Sequence, residues 1–293
     1  MQQHLFGTTG LATSALGLGA GQIGNADLAE ATVARFLNEA LDLGLSLIDT
    51  ARGYGLSEER IGRHLAHRRS EFVLSTKIGY GVDRIPDWTG PCITAGIEAA
   101  LQRLQTDHLD IVHLHSCPLD VLQNGEVIEA LLKAKTAGKL RVAAYSGENA
   151  ELAWAIASGH FGSIECSVNL FDQRSLLNDL PVAASKGLGV IAKRPLGNAP
   201  WRYATQPHGD YAETYWLRAQ TLAYDAAGMP WDELALRFTA FASGVSSAIV
   251  GTASIDNLRR NAKLAEAGPL PAELVARLTA RFQTVGAGWG GEI

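Results

Sequence analysis

The sequence has few cysteines and no long apolar run. The three cysteines, Cys92, Cys117 and Cys166, are odd in number and widely spaced, which argues against a disulfide scaffold and favours a reducing compartment. No window approaches the ~18 consecutive apolar residues of a membrane span. The first residues have neither the basic region nor the apolar core of a signal peptide. These absences predict a cytoplasmic protein.

Positive charge is also scarce. The chain has 25 Lys and Arg residues against 30 Asp and Glu residues, a formal net charge of −5. A surface with this balance does not attract nucleic acid or an anionic membrane. We therefore expect a small-molecule partner, while the oligomeric state stays open.

The sequence does contain a regular alternation of strand and helix patterns. Apolar runs typical of buried strands begin near residues 16, 45, 71, 109, 140, 163, 188 and 245. Helical spacing of apolar residues follows each run, although Pro181 predicts an interruption within helix 176–184. Eight such pairs without a linker predict the α/β class. The expected fold is a single (β/α)8 TIM barrel over residues 1–293, with an N-terminal hairpin and a C-terminal helix and tail.

An open doubly wound sheet fits the sequence less well. Such a sheet more often carries a Gly-x-Gly-x-x-Gly turn after its first strand. Gly17-Leu18-Gly19 lacks the third glycine of this motif. A helix start is also indicated at Ser57, a residue type that caps helices well.

Four polar side chains lie at, or just past, the carboxyl ends of successive predicted strands. Asp49 ends the second strand, and Tyr54 lies in the loop after it. Lys77 ends the third strand and His115 the fourth. In a barrel these strand ends meet at one rim, where the fold places its chemistry.

These residue types suit reduction of a carbonyl group. A tyrosine with a pKa of about 10 is a poor proton donor near neutrality, and a neighbouring ammonium lowers that pKa. Lys77 supplies such a charge, Asp49 is placed to hold Lys77, and His115 is placed to orient a carbonyl oxygen. The set predicts a general-acid site at Tyr54 that requires a hydride from a cofactor.

The order and spacing of these motifs resemble the aldo-keto reductase family over nearly the whole chain. The matching segments are Asp49-Thr50-Ala51-Arg52-Gly53-Tyr54-Gly55, Ser75-Thr76-Lys77, Asp110-Ile111-Val112-His113-Leu114-His115, Gly138-Lys139-Leu140-Arg141, and Ile249-Val250-Gly251 through Asn261. The resemblance implies a catalytic tetrad of Asp49, Tyr54, Lys77 and His115. It implies an NAD(P)H-dependent reductase of a small aldehyde or ketone, or the reverse alcohol oxidation. The cofactor is then expected across the barrel mouth, without a Rossmann domain.

The resemblance also implies a set of cofactor-binding positions. These are Gly19, Asp49, Ser146, Glu165, Asn169, Lys193, Arg194, Leu196, Gly251, Thr252, Ser254, Asn257, Arg260 and Asn261. Several depart from the family pattern: Gly147 replaces Asn after Ser146, and Glu165 replaces Gln. A carboxylate only accepts hydrogen bonds, here from the NH2 of the carboxamide. Lys193-Arg194-Pro195-Leu196 stands where many relatives stack an aromatic ring on the nicotinamide.

The segment Gly251-Thr252-Ala253-Ser254 leads into a helix whose first N–H groups suit an anion. NADPH is favoured over NADH by family habit. A 2′-phosphate requires a cation, and Arg259 and Arg260 are the candidates, with a solvated helix charge as the equal alternative.

Two tryptophans are candidate substrate-binding residues. Trp88 lies in the loop after the third strand and Trp201 in the loop after the seventh. Rim loops form substrate pockets in such barrels, although surface packing explains each tryptophan equally well.

His113 shares a strand face with His115 and is interpreted as a satisfied histidine of the barrel interior. Two other functions stay open. One alternative to the reductase is a nicotinamide-binding regulatory or partner-binding barrel with little turnover, and the other, less favoured, is a metal-dependent barrel hydrolase using His113 and His115. The rest of a ligand set is hard to find, and no metal is expected.

Overall fold

The computed structural model describes Met1 and residues 3–293, so that Gln2 of the predicted domain lies outside the described residues. A short antiparallel hairpin comes first, formed by β1 (Gln3–Leu5) and β2 (Ala12–Ser14). The remaining strands are β3 (Leu16–Gly19), β4 (Leu47–Asp49), β5 (Val73–Ile78), β6 (Leu109–His115), β7 (Leu140–Ser146), β8 (Ser163–Ser167), β9 (Gly189–Lys193) and β10 (Ser247–Gly251). They form a closed parallel barrel in sequence order, with β10 pairing with β3. The predicted fold class and hairpin are confirmed.

Helices follow the strands around the outside of the barrel. They are α1 (Glu30–Asp42), α2 (Ser57–Leu65), α3 (Gly90–Leu104), α4 (Leu119–Asn124), α5 (Glu126–Thr136), α6 (Asn149–Ser158), α7 (Arg174–Ser185), α8 (Glu213–Leu222), α9 (Trp231–Ala240), α10 (Ile255–Glu266) and α11 (Ala272–Val285). In α1 the buried side chains are Val33, Phe36, Leu37, Ala40 and Leu41. This spacing turns one face of the helix towards the strands. Across the described part of the chain, every helix is too short or too polar to cross a membrane.

Two local predictions were wrong. Pro181 lies inside a continuous α7, where burial of Leu180 and Ala183 against the core outweighs the missing backbone hydrogen bond. Ser57 is the first residue of α2 rather than its cap. Its hydroxyl donates to the carbonyl oxygen of Ala20 and accepts from the hydroxyl of Thr50, both at 2.8 Å.

The hairpin closes one end of the barrel. The buried side chains of Phe6 and Leu11, from its turn, join a cluster of strand residues inside the barrel. These are Leu47, Val73, Ile111, Val142, Ala144, Ile191 and Ile249. Because this apolar plug fills the end where the strands begin, the interior positions nearer the carboxyl ends are left to polar side chains.

Candidate active site

The two-residue repeat of the strands brings the predicted catalytic side chains to one place. In a strand, residues two or four apart lie on the same face. Leu47 faces the barrel interior, and so does Asp49. Val73 also faces the interior, and Lys77 lies four positions after it on the same strand. In the same way His115 lies four positions after the interior residue Ile111. The sequence pattern that predicts buried strands therefore also fixes the direction of these polar groups.

Lys77 is the centre of the cluster. Its side chain is 1% exposed and donates hydrogen bonds to Oδ2 of Asp49 and, at 3.1 Å, to the carbonyl oxygen of Thr50. Its Nζ lies 3.3 Å from Oε2 of Glu165 and 5.3 Å from the ring centre of Tyr54. One ammonium thus contacts two buried carboxylates and lies near one phenol ring.

The two carboxylates differ in the direction of their pKa shifts. Burial and the charge of Glu165 raise the pKa of Asp49, in spite of Lys77. Burial alone would raise the pKa of Glu165, but Lys77 and His113 lower it below its usual value. Because both acids share one cation, the pair carries more negative charge than Lys77 balances only when both are ionised, and the pKa of Asp49 is accordingly raised to about 7.

Tyr54 does not have the lowered pKa that the sequence predicts. The Lys77 ammonium lowers its pKa, but burial and the charges of Asp49 and Glu165 together raise it above the usual value. Asp49 thus acts on the phenol as well as on Lys77, and Glu165 adds a second negative charge near it. Tyr54 therefore stays protonated at neutral pH.

His115 is held by a residue that sequence reasoning missed. The hydroxyl of Tyr80 lies 2.7 Å from Nδ1 of His115, and the two rings stack with their centres 5.6 Å apart. Tyr54 meets the same imidazole edge-on at 6.1 Å. Burial and the Lys77 charge lower the pKa of His115 to about 3. The imidazole is therefore neutral at physiological pH.

The sequence around Tyr80 gives a weak indication that this residue belongs to the site. It lies three residues beyond Lys77, between Gly79 and Gly81. A Cβ atom at Gly53 would lie 3.1 Å from the hydroxyl of Tyr80, so the glycine in the Tyr54 loop makes room for this phenol. Trp88, a predicted substrate-binding residue, packs edge-on against Tyr80 at 6.0 Å and does not line the cleft.

His113 lies in the barrel interior, as predicted, and its side chain is fully buried. The expectation that it is satisfied was wrong, since neither ring nitrogen forms a hydrogen bond to any described residue. Its Nε2 is 3.8 Å from Oε2 of Glu165. Burial lowers the pKa of His113 to about 4, so this imidazole is also neutral.

A cleft of about 1130 Å³ opens above the cluster. Most of the predicted cofactor-binding residues line it: Gly19, Asp49, Glu165, Lys193, Arg194, Leu196, Gly251, Thr252, Ser254, Asn257, Arg260 and Asn261. Tyr54, His115 and Trp201 share the same cleft, which also has Gln22 and Asp232 in its wall. The volume suits an extended ligand together with a small second molecule.

Ser146 and Asn169 are buried beside this cleft rather than in its lining. Ser146 is paired in register with His115 on one side and with Glu165 on the other. Asn169 accepts a hydrogen bond from the backbone N–H of Phe171 at 2.9 Å. Its Nδ2 has no partner within the described residues, so the amide retains a free donor.

The two candidate arginines point in different directions. Arg260 lines the cleft, where its Nη2 lies 3.1 Å from Oδ1 of Asp232. Arg259 instead pairs with Glu39 of α1, away from the cleft. Between them, only Arg260 is placed to meet an anion in the cleft.

The residues present fit a nicotinamide cofactor. Two buried polar atoms, Oε2 of Glu165 and Nδ2 of Asn169, form no hydrogen bond in the described part of the chain. At the other end of the cleft, α10 begins after Ser254, whose side chain accepts from the N–H of Asn257 at 3.3 Å. This helix start gives the cleft backbone donors for a phosphate group.

A metal site fits the same residues less well. Ligand atoms of Asp49, His113 and Glu165 lie within 4.8 Å of one another. The ammonium of Lys77 already contacts both carboxylates, and it supplies the positive charge that an ion would bring. His115, the second histidine of the metal hypothesis, contacts Tyr80 instead.

Comparison with known proteins agrees with this geometry. A model of the Aldo/keto reductase family matches residues 15–281. The chain is 30% identical over 279 residues to L-galactose dehydrogenase of Arabidopsis thaliana, covering 89% of this chain and 87% of that protein. It is 29% identical over 221 residues to the NADH-specific methylglyoxal reductase of Escherichia coli strain K12, covering 67% of this chain and 68% of that protein.

The fold is shared with a solved member of the family. Aldo-keto reductase AKR11C1 from Bacillus halodurans, in its holo form, matches with a TM-score of 0.84 and 27% identity, covering 98% of this chain and 97% of that one. Members of the family are oxidoreductases that act on small carbonyl or alcohol substrates with nicotinamide cofactors. The chain therefore belongs to the aldo/keto reductase family and is an oxidoreductase.

Proposed function

We propose that the protein reduces the carbonyl of a small aldehyde or ketone with NAD(P)H, or oxidises the corresponding alcohol, with Tyr54 as general acid or base. The observation that carries this proposal is the contact set around Lys77, which joins Asp49 and Tyr54 at the floor of the cleft. A nicotinamide cofactor bound in the cleft would supply a hydride to the carbonyl carbon. Tyr54 donates its phenolic proton to the carbonyl oxygen, so the products are an alcohol and the oxidised cofactor.

The other residues act through Tyr54 and the carbonyl oxygen. Lys77 favours the phenolate that forms when Tyr54 gives up its proton. Asp49 fixes the ammonium, and Ser75 in turn fixes Asp49 through a 2.8 Å hydrogen bond to Oδ1. This chain of contacts keeps the charge of Lys77 near the phenol without a flexible side chain between them.

His115 is proposed to orient the carbonyl oxygen as a neutral donor. We assign the Tyr80 hydroxyl as the donor to Nδ1, which leaves the proton of the imidazole on Nε2. The ring stack and this hydrogen bond hold the imidazole in one orientation. Tyr80 is therefore a positioning residue for His115.

For the cofactor we propose NADPH, with a modest preference over NADH. Arg260 is the cation available for a 2′-phosphate, but Asp232 already pairs with it and adds a negative charge beside that phosphate. Ser146, Glu165 and Asn169 are the residues proposed to hold the carboxamide end, two of them with unpartnered polar atoms.

The proposed substrate is a small carbonyl compound that enters beside Trp201, which lines the cleft. Trp88 supports Tyr80 from behind and would affect substrate only through it. A reducing compartment, as in the cytoplasm, suits the three buried free thiols of Cys92, Cys117 and Cys166.

The proposal is tested by titrating the protein with NADPH and with NADH, following tryptophan fluorescence, and then adding a panel of small aldehydes and ketones. We expect saturable binding of both cofactors, tighter for NADPH, and loss of absorbance at the reduced nicotinamide band only when a carbonyl compound is present. Binding without any carbonyl-dependent oxidation would favour the regulatory alternative. Absence of binding would refute the proposed cofactor site.

A further inference from the structure

Glu165 carries a negative charge into the part of the cleft where hydride must be transferred. Its side chain is 2% exposed and lines the same cleft as Tyr54. Its Oε2 is 3.3 Å from Nζ of Lys77 and 3.8 Å from Nε2 of His113, and it has no hydrogen-bond partner among the described residues. The carboxylate is thus buried at the floor of the cleft, with Oε2 facing Lys77 and His113.

The charges around Glu165 do not sum to zero once Asp49 is ionised, which requires a pH above the raised pKa of Asp49, about 7. Lys77 balances one of the two carboxylates, Asp49 or Glu165, but not both. The neighbouring imidazoles, His113 and His115, are neutral at physiological pH.

The next cation outward, Lys193, also lowers the pKa of Glu165, but it has a carboxylate partner of its own. Lys193 lies 3.2 Å from Oε1 of the buried Glu148, whose charge it compensates. When both acids of the cluster are ionised, the floor of the cleft therefore carries one surplus negative charge in a place with little water. Such a charge acts strongly on any ligand charge nearby.

We propose that Glu165 makes the cleft discriminate between the two redox forms of the nicotinamide, stabilising the oxidised, cationic ring relative to the reduced, neutral one. This inference rests on the proposed function. A hydride donor has to lie next to the carbonyl carbon whose oxygen Tyr54 protonates, and Glu165 shares that space through its contact with Lys77. The ring of the oxidised form carries the positive charge that the floor of the cleft lacks.

The same charge acts on Tyr54. Glu165 raises the pKa of the phenol, and Lys77 lowers it. A cationic ring in the cleft would offset Glu165 and make the phenolate easier to form. Since a phenolate is the base required for alcohol oxidation, Glu165 opposes the formation of that base, and a bound cationic ring would remove part of this opposition.

The test is equilibrium binding rather than turnover. Dissociation constants for NADP+ and NADPH are measured by calorimetry at pH 8 for the wild type, Glu165→Gln and the control Glu129→Gln. Glu129 is an exposed carboxylate of α5, so its replacement changes the net charge equally but far from the cleft. We expect the ratio of the NADP+ to the NADPH constant to rise at least about tenfold in Glu165→Gln, which is about 1.4 kcal/mol. The control ratio should stay within about twofold of the wild type.

An unchanged ratio in Glu165→Gln, with both forms still binding, would overturn the inference and leave the proposed function intact. Failure of the wild type to bind either form would instead refute the proposed function. If Glu165→Gln does not fold, the two wild-type dissociation constants test the inference. The wild type should then bind NADP+ at least as tightly as NADPH. Wild-type binding of NADPH more than about tenfold tighter would overturn the inference.

Discussion

Replacing Lys77 with methionine should destabilise the barrel strongly at pH 8 and much less at pH 5. At the 3.3 Å separation from Glu165, the attraction is about 5 kcal/mol for an effective dielectric constant of about 20. Asp49 loses a second contact of the same kind. Removing the ammonium also removes the cost of burying its charge, which offsets part of the lost attraction. We therefore expect a net loss of about 3–5 kcal/mol in the free energy of unfolding.

The pH dependence follows from Asp49 and Glu165, which lose their common cation when Lys77 is replaced. Without the ammonium, buried carboxylates have raised pKa values in the folded state, so folding favours their protonated forms. The loss of stability is therefore fully present above the raised folded-state pKa values and shrinks as the pH falls below them. Urea unfolding of Lys77→Met and wild type at both pH values measures this. A loss under about 1 kcal/mol at pH 8, or an equal loss at pH 5, would refute the reasoning.

Lys133→Met is the matched control. Lys133 is exposed, and its Nζ lies 2.9 Å from Glu129 one helical turn away. The pair is solvated and screened, so its removal should change stability little at either pH. A large loss in this control would show that the assay reports the loss of any lysine rather than of the buried cluster.

Three further predictions follow from the site. Tyr80→Phe keeps the ring on His115 but removes the hydrogen bond to Nδ1; kcat should fall about threefold to tenfold with the cofactor dissociation constant unchanged, and an unchanged kcat would refute the positioning role. Glu165→Gln removes a charge that raises the pKa of Tyr54; the pH profile of alcohol oxidation should move to lower pH, and a shift to higher pH would contradict the charge argument. Arg260→Gln should weaken binding of NADPH about tenfold and leave NADH within about twofold; equal weakening of both would show that this arginine does not read the 2′-phosphate.

The barrel and its catalytic cluster were predictable from the sequence because they depend on short-range patterns. Apolar runs and their two-residue repeat fix both the strands and the direction of side chains such as Asp49 and His115. The strand starts at Leu16, Leu109 and Ser163 lie at the predicted positions. The hairpin, whose Phe6 plugs the barrel, was also visible as a glycine-rich start.

Properties that depend on several charges at once were not predictable in this way. To predict the direction of the Tyr54 pKa shift, one needs the distances from Lys77 to the carboxylates of Asp49 and Glu165. Glu165 is on a strand nearly ninety positions after Lys77 in the chain. The contact between Tyr80 and His115 is likewise formed across a loop. The pairing of Arg260 with Asp232 depends on how α9 and α10 pack. No sequence spacing encodes these three relations.

The most direct test of the account is the pair of measurements on Tyr54→Phe. Phenylalanine keeps the ring that Lys77 faces at 5.3 Å and removes only the proton that the mechanism transfers. We predict an unchanged dissociation constant for the reduced cofactor and a loss of carbonyl-dependent turnover of at least about a hundredfold. Turnover within about tenfold of the wild type would contradict the assignment of Tyr54 as the proton donor.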